Sequence, residues 1–80
     1  MKKIDELKKA LTVEFCDIEF SFHGKSCGVE SVVIDGYVTY DIWCGDELET
    51  YNSADDLLNA TLFGGKSLRQ IAEQIDFFYI

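Results

Sequence analysis

The dipeptide Asp35-Gly36, set between the apolar-rich runs 29–34 and 37–44, constrains this chain more than any other feature. Asp-Gly accepts the positive φ that a two-residue hairpin turn needs at both central positions. With the turn there, Ile34 faces Tyr37, and pairing continues through Val33 with Val38, Ser31 with Tyr40, Glu30 with Asp41, Val29 with Ile42 and Cys27 with Cys44. Upstream, Ile18, Phe20 and Phe22 alternate with Asp17, Glu19 and Ser21, the period of a half-buried strand. The glycine-flanked segment 24–28 reads as the intervening turn. Closing it on Lys25-Ser26 pairs Phe22 with Val29, Phe20 with Ser31 and Ile18 with Val33. Both turns place Ile18, Phe20, Phe22, Val29, Val33, Val38, Tyr40 and Ile42 on one face, so two separate signals agree on one buried surface. Gly45-Asp46 offers a further turn into a fourth strand over 47–51.

Helices are expected on either side of this meander. Ile4, Leu7 and Leu11 recur at helical spacing in residues 2–11. Ser53 with Asp56 reads as an N-cap and an acidic first turn for residues 54–60, which carry Leu57 and Leu58. Ser67 with Gln70 is a capping box opening a helix with Leu68, Ile71 and Ile75. The segment 77–80 (Phe77, Phe78, Tyr79, Ile80) is apolar and either docks into the core or forms a homodimer contact. The expected fold is therefore α+β: an N-terminal helix, a three- to four-stranded antiparallel meander, and two C-terminal helices packed on one face. With 80 residues, no proline and no low-complexity stretch, 1–80 reads as a single domain.

Charge narrows the function classes. Between Glu14 and Asp56 there are eleven acids and one base, Lys25, within a formal net charge of -8. Nucleic acid and anionic membrane are both bound through cationic contacts, so neither is an expected partner. A basic surface of another protein is. No run approaches the ~18 apolar residues of a membrane span, and Asp5, Glu6, Lys8 and Lys9 stand where a signal peptide needs an apolar stretch. The expected location is the cytoplasm.

Three groups of residues invite a chemical reading. Gly24-Lys25-Ser26 and Gly65-Lys66-Ser67 resemble the end of a phosphate loop, but the required upstream glycine is Glu19 in one and Ala60 in the other. Glycine permitting an unusual backbone, with a serine cap in the second, accounts for both tripeptides. Cys16, His23, Cys27 and Cys44 have the composition of a Cys3His zinc site. Cys16, however, lies about 20 Å from the others at ~3.3 Å per strand residue. A structural zinc ion would instead use His23, Cys27 and Cys44 with Asp46 or Glu47. The plainer reading is buried, reduced thiols beside an exposed histidine, and a Cys27–Cys44 disulfide is a third arrangement. No nucleophile with a base and an orienting partner can be assembled, so no catalytic residue is assigned. Finally, Asp17, Glu19, Glu30 and Asp41 share the polar face of the strands with Trp43, the composition suited to gripping a basic, partly apolar partner.

Residues 53–71, with Phe63 and glycine leading into Lys66-Ser67-Leu68 before a final helix, resemble the C-terminal part of small proteins of Firmicutes and their mobile elements. The resemblance covers about a quarter of the chain, implies a helix-turn-helix corner, and carries no activity. Small acidic proteins of phage and mobile elements include inhibitors of host defence nucleases, the anti-CRISPR proteins among them. The leading expectation is thus a non-enzymatic inhibitor that binds a basic, nucleic-acid-binding surface of a host protein through Asp17, Glu19, Glu30, Asp41 and Trp43. The alternatives are a zinc- or cysteine-dependent domain centred on His23, Cys27 and Cys44, and a homo-oligomeric structural module.

Overall fold

The computed structural model describes residues 3–79. Helix α1 (Lys3–Thr12) leads into strands β1 (Ile18–Phe22), β2 (Lys25–Ile34), β3 (Tyr37–Cys44) and β4 (Glu47–Tyr51). Helices α2 (Ala54–Asn59) and α3 (Leu68–Ile71), a 3-10 turn (Ala72–Gln74) and strand β5 (Phe78–Tyr79) follow. All strand pairs are antiparallel, in the order β4-β3-β2-β1-β5. The fold is α+β, with five strands rather than three or four. The additional strand comes from the apolar tail, and two residues carry too little alternation to be read as a strand.

The β2–β3 hairpin has the expected register, from Ile34 opposite Tyr37 to Cys27 opposite Cys44. Asp35 and Gly36 take φ of +51° and +81°, as a type I′ turn requires. The first hairpin closes elsewhere than expected. Its turn is His23-Gly24, with φ of +49° and +78°, so Phe22 faces Lys25, Phe20 faces Cys27 and Ile18 faces Val29. The pairing is displaced by four residues from the expected one. Because four is even, each side chain keeps its face, and Ile18, Phe20 and Val29 are buried as the alternation requires.

One sheet face is covered by helices. Leu7 and Leu11 of α1, Leu57 and Leu58 of α2, and Leu68 of α3 are fully buried against it. Burying each such side chain contributes about 1.5–3 kcal/mol relative to exposure. The sequence assigned this cover to the two C-terminal helices alone, but α1 shares it: the Tyr40 hydroxyl donates to the Leu11 carbonyl at 3.3 Å, and Lys8 pairs with Asp55 of α2 at 3.0 Å. Both caps form as read. The Ser53 hydroxyl accepts from the Asp56 N–H, and Ser67 and Gln70 satisfy each other's backbone N–H groups. The final helix is shorter than the spacing of Leu68, Ile71 and Ile75 suggested, tightening to 3-10 geometry after Ile71.

In the tail, Phe77 packs edge-to-face against Phe20 with ring centroids 5.2 Å apart, while Phe78 and Tyr79 pair with β1 and remain exposed. Ile80 lies outside the described residues. At the other extreme, the β2–β3 hairpin runs past the helical layer: Val33 and Ile34 are exposed, and Tyr37 retains 78% of its accessible surface. No helix among the described residues is long and apolar enough to cross a membrane.

Candidate functional site

Two regions hold the residues that the sequence singled out. The first is the sheet face turned away from the helices. Strand alternation and register set one row across it, running Phe78, Glu19, Gly28, Trp43 and Leu48, and a second running Glu30, Asp41 and Thr50. The Trp43 indole lies over Gly28, whose missing side chain makes room for the ring. Glu30 stands directly opposite Asp41. Like charges so placed cost up to about 1 kcal/mol. The Thr50 hydroxyl donates to the Asp41 carboxylate at 2.6 Å and fixes its direction.

None of the strand positions that alternate onto this face is lysine or arginine. Exposed Ile34, Tyr37 and Leu48 complete it, so acids and apolar side chains are interleaved. Glu19, Glu30, Asp41 and Trp43 are thus brought together, and Asp17 stands one residue before β1, half-buried. Leu48 was not picked out from the sequence, and Phe78 was read only as part of the apolar tail, not of this face. Alternation in 47–51 placed Leu48 on this face in principle, whereas nothing in the tail showed that Phe78 pairs beside Glu19.

The second region lies at the sheet end where the first and third hairpins turn. Cys27 and Cys44 are both buried, and the Cys27 thiol donates to the Cys44 sulfur at 3.0 Å. Burial, then the hydrogen bond and the charge of Cys44, push the Cys27 thiol up to about 12 from an ordinary 9.0. A thiol held in that state is protonated near neutrality and a poor nucleophile. His23 is exposed and stacks on Phe22, with ring centroids 4.0 Å apart. Its left-handed backbone turns it toward the helical side, which strand alternation alone would not do. Cys16 lies with Glu14 and Tyr79 in a different hollow, away from the other cysteines. Asp46 and Glu47 are exposed in and after the turn that follows Cys44. Among the described residues, no three His, Cys, Asp or Glu side chains gather into a group that could hold a metal ion.

A cavity of about 250 Å³ opens beside this thiol pair. Cys44, Phe63 and Ile71 form its buried wall, and His23, Lys25 and Lys66 stand at its exposed rim. It is built from three segments far apart in sequence: the β1–β2 turn, the end of β3, and residues 62–74.

Comparison with family models, curated proteins and solved structures finds no match to this chain.

Proposed function

We propose that this chain is a non-enzymatic interaction protein whose open sheet face engages a basic surface of another protein. The observation that carries the reading is the cross-strand pair of Glu30 and Asp41, set among exposed Ile34, Tyr37 and Leu48 with no lysine or arginine on the same strand positions. A like-charge pair held at some cost to the sheet is neutralised when a cationic partner arrives, and the apolar neighbours then supply desolvated contact area. Glu19 and Trp43 extend the surface along the same sheet, and Asp17 borders it. The finer form of the reading is an inhibitor. A surface that normally holds nucleic acid is cationic, and an acidic, aromatic-bearing face competes for it. The encounter is placed in the cytoplasm, where the thiols stay reduced.

The test is capture from bacterial lysate with tagged protein, against a variant carrying Glu30→Lys and Asp41→Lys, at low and physiological salt. A protein retained by the native chain and lost with the variant, while circular dichroism is unchanged, supports the reading. Equal retention by both sinks it. A Cys27→Ala variant separates the cysteine-dependent alternative, since it leaves charge-driven binding intact.

A further inference from the structure

The two Gly-Lys-Ser tripeptides are forty-one positions apart and neither is a phosphate loop, yet the fold brings their lysines to the rim of one cavity. Gly24 and Gly65, which precede them, both lie in the left-handed region, at φ +78° and +83°. The two turns thus use the same backbone device just before the lysine. The Lys25 stem runs along Gly45, where a built Cβ would meet its Cδ at 3.4 Å, so the third hairpin turn shapes its path as well.

In a chain with fifteen acids, this placement is selective. No aspartate or glutamate lines the cavity, and neither Lys25 nor Lys66 makes an ion pair among the described residues. Lys3, Lys8 and Arg69 do, whereas Lys9, on the exposed side of α1 and away from this cavity, does not. His23 adds a third nitrogen-bearing side chain at the rim. Behind the rim, Phe22, Phe63 and Ile71 give the wall an apolar part, beside the Cys44 thiol and the Gln74 amide. Asp46 and Glu47 follow Cys44 and Gly45 in the third hairpin turn but do not line the cavity, and both are exposed, where charges are screened over about 8 Å at physiological ionic strength.

We propose that this cavity binds a small organic carboxylate, with the carboxylate held between Lys25 and Lys66 and an aromatic or branched apolar body against Phe22, Phe63 and Ile71. Its 250 Å³ lies below the ~300–1,000 Å³ of sites that take drug-sized ligands, which sets the size class at a single ring or a short branched chain. Phe22, Phe63 and Ile71 reward an apolar body, so a bare inorganic anion is the poorer ligand. This site lies on the helical side of the sheet end, apart from the open face, and stands or falls independently of the partner-binding reading.

The experiment is a titration of the intact protein with benzoate, benzamide and inorganic phosphate, followed by amide chemical shifts. Benzoate is expected to move the amides of His23, Lys25, Phe63 and Lys66. Benzamide, which has the same shape without the charge, and phosphate, which has the charge without the body, are each expected to bind at least tenfold more weakly. Combining Lys25→Ala with Lys66→Ala is expected to weaken benzoate at least tenfold, while Lys9→Ala leaves it unchanged. Equal binding of benzoate and benzamide, phosphate binding as tight as benzoate, or shifts confined to other residues would overturn the proposal. The ligand comparison uses the unaltered chain, so it decides the matter even if the double variant folds poorly.

Discussion

The Trp43 indole covers Gly28 on the neighbouring strand, and a Cβ built at Gly28 would collide with the ring and stand 2.7 Å from the Ile18 carbonyl oxygen. The ring could swing away, but the carbonyl belongs to the β1–β2 ladder and cannot. Gly28→Ala is therefore expected to destabilise the fold by about 1–3 kcal/mol, the range for overpacking. Trp43 is the only tryptophan, so its emission should shift to the red in the same variant. An unchanged melting temperature and spectrum would mean that the indole does not rest there.

Alkali should weaken the protein through Cys27. Its folded-state value of about 12 lies above the ordinary 9.0, so the folded state keeps a proton that the unfolded state releases. The resulting stability is complete below pH ~9 and is lost as pH rises toward 12, at up to about 1.4 kcal/mol per pH unit. Burial raises the Tyr40 hydroxyl as well, which adds to the same trend. Urea unfolding at pH 8 and pH 10 should show a loss on the order of 1 kcal/mol, and Cys27→Ala should remove a large part of it. A flat profile in the native chain would contradict the buried thiol pair.

The same burial sets an order of modification. Half-buried Cys16 should react with iodoacetamide in the native state well before Cys27 and Cys44. Peptide mass mapping after timed quenching measures this directly. Simultaneous labelling of all three would show that the sheet end opens readily.

Ser67 is buried and forms one half of a capping box, whereas Ser53 is half-buried and caps α2 alone. Ser67→Ala should cost about 1–2 kcal/mol and Ser53→Ala less, both measured by chemical denaturation. A reversed order would place the weight of the C-terminal corner on α2.

The tail distinguishes adjacent aromatics. Phe77 packs on Phe20, so Phe77→Ala should cost about 2 kcal/mol or more. Phe78 projects from the open face, and Phe78→Ser should stay within about 0.5 kcal/mol. Similar losses from both would mean that β5 is held chiefly by its outward side.

What the sequence made legible follows from where the signals lie. Asp35-Gly36 is a strong local signal, and it carried the β2–β3 register to Cys27 and Cys44 without error. The first hairpin was harder because His23 adopts positive φ, which a non-glycine residue seldom does, while Lys25-Ser26 stands between glycines and looks like the turn. Each side chain kept its face only because the displacement was even, but Val33, read into the buried set, lies beyond the helical cover and is exposed. On the open face, Glu30 and Asp41 were found opposite each other since both belong to the well-marked hairpin. The cavity was invisible, because Lys25, Cys44 and Lys66 meet only once α3 and the loop before it are docked. Each Gly-Lys-Ser could be judged alone, and alone each is merely a turn.

The β2–β3 hairpin reaches well beyond what the helices cover. Its core contacts end near Val29 on β2 and Val38 on β3, yet the strands continue to Ile34 and Tyr37. Residues 33–37 are exposed and form the tip of an arm that packing constrains little. Shortening the arm by removing cross-strand pairs in register would trim reach without thinning the core. The fold is thus divided into a part whose volume is fixed by packing and an exposed tip, 33–37, where changes of sequence or length should disturb folding least.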